Sequence, residues 1–264
     1  MPNTLYLHAG HPKTATGFLQ RVVIPEIENI TCLVKPTITF GSAQMSFGDL
    51  FVFPPDIWGN PQSGPLTALG GDSFGEQDVL LSSESIVGGI ASPQPWIPRA
   101  EEYGPVVRHQ RQTGGRPDHT SFGNHLDAIA EAAQRLGFSQ VKVLLTVRRQ
   151  DERLASSYAQ VSDRVKGASQ ESFQRWACHL AKDKAGFYFG GGQKLNYWPW
   201  WKTMVDVLGE PNVLILPFEL LREDQSGFLK RWLGFIGARD ADATSKLFSD
   251  SGEENRRSSS ESEW

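Results

Sequence analysis

The chain has 264 residues, with 26 basic and 30 acidic side chains and a formal net charge of -4. Apolar residues at 39% and charged residues at 21% describe a folded protein long enough to bury a large core, and exclude wholesale disorder. The acidic balance excludes a general nucleic-acid binder, which carries a basic excess, and no apolar run reaches the roughly 18 residues of a membrane helix.

The first residues, MPNTLYLHAGHPKT, lack the basic start and apolar core of a signal peptide, so a cytoplasmic location is expected. The first element is Thr4 to Ala9, an apolar run ending at Gly10 that predicts a buried strand. Phe18, Leu19, Val22, Val23 and Ile27 then recur at helical spacing, predicting a helix over about 16–28. Cys32 to Val34 gives a second short strand. Residues 35–78 mix glycine, proline and aromatics without a period and read as an irregular excursion. Val79 to Ser82 is a strand, and 88–123 is a second irregular stretch whose Arg108, Arg111 and Arg116 read as a solvated face.

Leu126, Ile129, Ala130, Ala133 and Leu136 share one face of a helix predicted from about Asn124 to Leu136, with Gly137 as its stop. Val141 to Val147 is apolar at nearly every position, as a central parallel strand is. Apolar stripes predict helices over 154–165, 173–180 and 200–208, a strand over 213–216, and a last helix over 226–236 closed by Gly237. Strands alternating with helices predict one α/β domain over 1–264: a central parallel sheet covered by helices on both faces. Cys32 and Cys178 sit among apolar neighbours and read as buried reduced thiols. The six histidines form no HxxxH or HExxH pattern, so no metal is expected.

Two stretches carry chemistry. In His8-Ala-Gly-His-Pro-Lys-Thr-Ala-Thr-Gly17, a strand runs through a tight loop into a helix. Free amides at a helix start form an anion site, to which Lys13 adds a charge and Thr14 and Thr16 add hydroxyls. The Walker spacing fails, because glycines would be needed at 7 and 12, where Leu7 and Pro12 stand. In the second stretch, Leu144 to Tyr158, a buried strand delivers Arg148, and Ser156 follows in the next helix. Arg148 can fork onto a phosphate and Ser156 can donate to it; pairing of Arg148 with Asp151 or Glu152 is the plainer alternative. In an open parallel sheet both stretches open at the carboxyl edge, where ligands sit. Two anion sites on one edge suggest a ligand with two separated phosphate-like groups.

The pair HxGxPKTxT and VRRQxERxxSSY resembles the sulfotransferases that use 3′-phosphoadenosine 5′-phosphosulfate (PAPS). LGEPNVLILPFELLREDQSGFLKRWLGFIG looks like that family's last strand and helix. The form RRQ is similar to bacterial members. The resemblance spans most of the chain apart from 35–78 and 88–123. It implies a P-loop-NTPase-like sulfotransferase architecture, PAPS as donor, adenosine 3′,5′-bisphosphate as product and no metal.

By resemblance, Lys13, Thr14, Ala15, Thr16 and Gly17 hold the 5′-phosphosulfate and Arg148 with Ser156 holds the 3′-phosphate; for in-line transfer Lys13 is the candidate for the bridging or leaving oxygen, and His11 or backbone amides near 14–17 for the sulfuryl oxygens. Arg149 and Ser157 repeat that spacing, but Arg148 directly follows the apolar run. The chain departs from the usual pattern at Ala15 and Gly17. A late loop often closes the nucleotide site in the family, which nominates Arg256, Arg257 and Ser258; a solvated polar tail is the alternative.

The acceptor hydroxyl needs a general base. Glu84, just past a buried strand, is the first candidate, against the alternative of a turn cap or an arginine partner. His11 is the runner-up, and His8 reads as a satisfied strand residue. Phe187, Tyr188, Phe189, Tyr197, Trp198, Trp200 and Trp201 offer either an acceptor platform or core packing, and Gly190 to Gly192 suggest a mobile loop beside them, such as a lid. A saccharide or small metabolite is the expected acceptor, with no nucleic acid and no membrane span. Two other classes stay open: a P-loop-type kinase or nucleotide hydrolase, and a non-catalytic nucleotide-binding relative.

Overall fold

The apolar runs at 4–9, 79–82 and 141–147 lie side by side at the middle of a five-stranded sheet. The structure is a computed structural model that describes residues 3–11, 13–40, 43–60, 64–70, 76–87, 119–162, 167–182 and 195–239. The sheet contains β1 (Thr4–Gly10), β2 (Thr31–Val34), β5 (Val79–Ser82), β6 (Gln140–Val147) and β7 (Val213–Pro217), in the order β2-β5-β1-β6-β7. Every neighbouring pair is parallel. All seven residues of β1 are buried, because it is covered on both faces and flanked on both edges. From β1 the chain goes first to β2 and β5 on one side and later to β6 and β7 on the other. The switch point of the sheet is therefore at the carboxyl end of β1.

Alternation along β1 feeds two cores. Leu5, Leu7 and Ala9 point to one face, where they join Val143, Leu145, Phe122, Leu126, Trp200 and Met204. Tyr6 and, from β6, Leu144 point to the other, against Leu19, Val23, Phe228 and Trp232. Among the described residues the α-helices are α1 (Thr16–Phe18), α2 (Pro65–Gly70), α3 (His119–Arg135), α4 (Gln150–Val161), α5 (Gln170–Lys182), α6 (Tyr197–Leu208), α7 (Phe218–Glu223) and α8 (Gln225–Ile236). Among the described residues, no helix is long and apolar enough to cross a membrane.

Four sequence-based expectations need correction. The helix expected over 16–28 is α-helical only at Thr16–Phe18, then widens to a π-helix at Leu19–Val23 and tightens to a 3-10 turn at Ile24–Glu26. Pro25, which has no N–H to donate, sits in that last turn.

The stretch 35–78 is not structureless. It holds an antiparallel hairpin, β3 (Thr37–Phe40) with β4 (Ala43–Ser46), in which Ile38 and Met45 pair and are both buried. Its aromatics Phe47, Phe51 and Trp58 pack together at 5.3–6.1 Å and belong to the main core.

Helix α3 starts at His119, five residues before the expected Asn124. Gly123 is a packing residue inside it rather than a loop residue: a Cβ there would stand 2.5 Å from Thr203 Cγ2 of α6. Lastly, Cys178 is exposed and Cys32 only partly buried, though both are free thiols. On α5 it is Trp176 that turns inward, and Cys178 lies off that face. Burial pushes the Cys32 thiol up to about 11.

Candidate functional site

The carboxyl end of β1 is closed by a loop that only glycine permits. A Cβ on Gly10 would stand 2.3 Å from Thr16 Oγ1 and 3.2 Å from Thr14 Oγ1. The two hydroxyls fold back over the strand end, 3.4 Å from each other, and Thr14 Oγ1 donates to the His11 carbonyl at 2.6 Å. Both threonines are buried. Their side chains thus brace the loop from inside. Lys13 and Ala15 have φ of 71° and 59°, while Thr14 between them does not share the left-handed conformation. Left-handed residues in a tight loop can gather backbone N–H groups on one side, as anion-binding nests do. Left-handed backbone costs a non-glycine residue about 1–2 kcal/mol, so Lys13 and Ala15 hold strain where the loop turns. The Lys13 side chain is exposed above it.

The second stretch meets the first directly. His11 N donates to the Thr146 carbonyl of β6 at 3.2 Å, which locks the loop to the neighbouring strand. Arg148, one residue past β6, donates from Nη1 to the Lys13 carbonyl at 3.3 Å. Its guanidinium stacks over Phe218, 5.0 Å from the ring centroid, and its Nη2 pairs with Glu152 at 2.9 Å. Arg222 reaches the same Glu152 oxygen at 3.4 Å. So the plainer alternative for Arg148, an acid one helical turn on, is present together with the contact to the loop. Arg149 differs: its side chain is 62% exposed against 18% for Arg148, and it pairs with Asp151 at 2.8 Å. Ser156 is partly exposed on α4, whereas Ser157 is buried. The chain thus brings His11, Lys13, Thr14, Thr16 and Arg148 into one connected group.

One residue of this corner, Arg153, escaped the sequence reasoning, and another, Tyr197, makes contacts that its reading as platform or core did not foresee. Arg153 is 1% exposed, one of the largest fully buried side chains. It hydrogen-bonds Tyr197, and burial pulls its guanidinium below the ordinary arginine range. Tyr197 donates through its hydroxyl to the Arg148 carbonyl at 2.5 Å, and its ring lies 5.5 Å from that of His11. A signal for Arg153 exists: Arg153, Leu154, Ser157 and Tyr158 recur on the buried face of α4, so an arginine stands on an inward stripe.

The candidate bases lie in different surroundings. Glu84 opens a 3-10 turn, Glu84–Val87, just past β5 and is partly exposed. Ser83 N donates to the His8 carbonyl at 3.1 Å, which sets this turn beside the end of β1. His11 is 0% exposed, packed on Tyr197. His8 is buried too: it shares a 2.8 Å hydrogen bond with Ser82 Oγ, to which Gln20 Nε2 donates at 3.0 Å, and meets Trp232 edge-on at 5.3 Å. Burial lowers its pKa to about 3.

The aromatic cluster divides. Trp200 is core, 5.1 Å from Phe122, whereas Trp198 is 64% exposed and stacked on Trp201 at 4.8 Å. Phe187, Tyr188, Phe189, Gly190 to Gly192, Arg256, Arg257 and Ser258 lie outside the described residues.

Neither a protein-family profile nor a curated protein sequence matches the chain. Solved structures do. A sulfotransferase from Alicyclobacillus acidocaldarius superposes with a TM-score of 0.50 over 92% of this chain and 83% of that one, at 15% identity. Mouse sulfotransferase SULT7A1 complexed with PAP gives a TM-score of 0.42 over 94% of this chain and 63% of that one, also at 15% identity. The first likeness establishes the fold: a single α/β domain of sulfotransferase architecture around the parallel five-stranded sheet.

Proposed function

We propose that the chain is a sulfotransferase that moves a sulfuryl group from PAPS to a hydroxyl acceptor by in-line displacement. The observation that carries this reading is the contact between Arg148 and the loop with left-handed Lys13 and Ala15, at the switch point of the sheet. It places two cation-bearing elements side by side where such sheets take their ligands. A donor with a phosphosulfate at one end and a 3′-phosphate at the other has the two anionic groups that this pairing suits. The sulfotransferase fold supports the reading, and the failed Walker spacing sets it apart from a P-loop kinase.

Little covalent chemistry is asked of the protein, and position and charge do most of it. The acceptor oxygen attacks sulfur, the bond from sulfur to the bridging oxygen breaks, and adenosine 3′,5′-bisphosphate leaves. Lys13 neutralises that leaving oxygen, and backbone N–H groups over 14–17 hold the phosphosulfate. The Thr14 and Thr16 hydroxyls act by bracing those amides. Arg148, with Ser156, takes the 3′-phosphate. Glu84 accepts the acceptor's proton; its partly exposed place beside the end of β1 suits that role better than the sealed pocket of His11. A saccharide or small metabolite is the acceptor class proposed.

The test is transfer of label from ³⁵S-PAPS to a panel of saccharides and small hydroxylated metabolites, with Lys13→Ala as control. Label on an acceptor with wild type, absent with Lys13→Ala, supports the assignment. Equal transfer by both proteins would sink it.

A further inference from the structure

The two anion-binding stretches share a third partner. Tyr197 is the first residue of α6, far along the chain from both. Its hydroxyl donates to the Arg148 carbonyl at 2.5 Å, across 49 residues of sequence. Its ring packs against His11, with centroids 5.5 Å apart and planes tilted by 34°. Behind it the buried Arg153 guanidinium hydrogen-bonds the same phenol. One side chain therefore touches the loop after β1, the end of β6 and helix α4.

The Arg148 carbonyl is the first one past the β6 ladder, which ends at Val147. Its direction fixes the backbone between Arg148 and the Arg149 N-cap, from which α4 begins. The Arg148 side chain leaves from the same residue and reaches Lys13. A phenol that holds this carbonyl thus holds the origin of the Arg148 guanidinium. A guanidinium set in place before a ligand arrives loses less freedom when it binds.

We propose that Tyr197 is a positioning residue for the 3′-phosphate half of the nucleotide site, clamping Arg148 through its carbonyl while bracing His11 in the first loop. The inference rests on the sulfotransferase reading given above. It assigns Tyr197 a task on the nucleotide side, apart from the acceptor platform that the aromatic cluster otherwise suggests.

The clamp makes a selective demand. Tyr197 acts here through the Arg148 carbonyl, whereas a merely structural role would weaken every nucleotide alike or none. Loss of the phenol should instead weaken ligands with a 3′-phosphate and spare those without one. The experiment is calorimetric titration of wild type and Tyr197→Phe with adenosine 3′,5′-bisphosphate and with adenosine 5′-monophosphate, alongside thermal unfolding. Wild type is expected to prefer the bisphosphate. Tyr197→Phe is expected to lose about tenfold in bisphosphate affinity, on the scale of one hydrogen bond, with monophosphate affinity within twofold of wild type. Tyr197→Met, which keeps bulk without a donor, should show the same split.

Equal losses for both ligands, or an unchanged preference for the bisphosphate, would overturn the inference. So would failure of both variants to fold, since the phenol would then be structural. If wild type itself shows no preference for the bisphosphate, the functional assignment fails, and the inference resting on it is overturned with it.

Discussion

Arg148 Nη1 donates to the backbone carbonyl of Lys13 at 3.3 Å, joining residues 135 apart in sequence. The bond ties the residue after β6 to the loop after β1, so the two stretches proposed to hold the nucleotide adjoin each other. Arg149, adjacent in sequence, has a mostly exposed side chain held by Asp151. The pair therefore separates by experiment. Arg148→Ala should lower affinity for adenosine 3′,5′-bisphosphate by about 10- to 100-fold, the scale of a hydrogen bond to a charged group. Arg149→Ala should stay within about threefold. The reverse order in a titration would move the 3′-phosphate site to Arg149.

Lys13 and Glu84 should both be needed for turnover. On the proposed mechanism, Lys13→Ala removes charge at the leaving oxygen and should lower kcat by about 10²–10³. Glu84→Gln should lower kcat by about 10²–10⁴ while nucleotide affinity is kept. Steady-state kinetics with calorimetry on the same preparations checks both. Wild-type turnover in Glu84→Gln would remove Glu84 as the base.

Gly10 supports the loop by lacking a side chain. Gly10→Ala puts a methyl group 2.3 Å from Thr16 Oγ1 and forces the braced threonines apart. Both melting temperature and nucleotide affinity should fall. Gly234, whose added Cβ would meet nothing within 4 Å, is the matched control on α8, where alanine is the better helix former. Equal behaviour of the two variants would show that the strand end tolerates a rearranged loop.

Much of this was legible in the sequence, for particular reasons. Strands β1, β5 and β6 are short apolar runs buried on both faces, so their residues could be little else. Lys13 and Arg148 stood out because each follows such a run. The hairpin at 37–46 was not legible: only Ile38 and Met45 carry its inward face, too few positions for a period of two to show. Gly123 misled because an inter-helix contact and a loop both favour glycine. Tyr197 was visible as an aromatic residue, but its bond to the Arg148 carbonyl depends on how α6 docks against β6, which local pattern does not encode.

Acid should destabilise the fold through two buried histidines. Burial lowers His8 from 6.5 to about 3 and His125 from 6.5 to about 4. Trp58 Nε1 also donates to His125 Nδ1 at 2.8 Å, which requires that nitrogen to be unprotonated. Both rings are neutral when folded and take a proton near 6.5 when unfolded, so the unfolded chain binds more protons below that value. Stability is complete above about pH 6.5 and drains as pH falls toward 4 and then 3, by on the order of 1 kcal/mol per pH unit for each ring. Denaturant melts from pH 7.5 to 4.5 should show this fall, and His8→Gln should flatten it. A pH-independent midpoint across that range would contradict the assigned burial.

The most direct measurement of the central claim is calorimetric titration of the wild-type chain with adenosine 3′,5′-bisphosphate, with ATP run in parallel. The two ligands separate a site built for a 3′-phosphate from one built for a triphosphate. The account predicts saturable 1:1 binding of the bisphosphate, at least tenfold tighter than ATP, and lost in the Lys13→Ala, Arg148→Ala double variant. Tighter binding of ATP, or no binding of the bisphosphate, would contradict it.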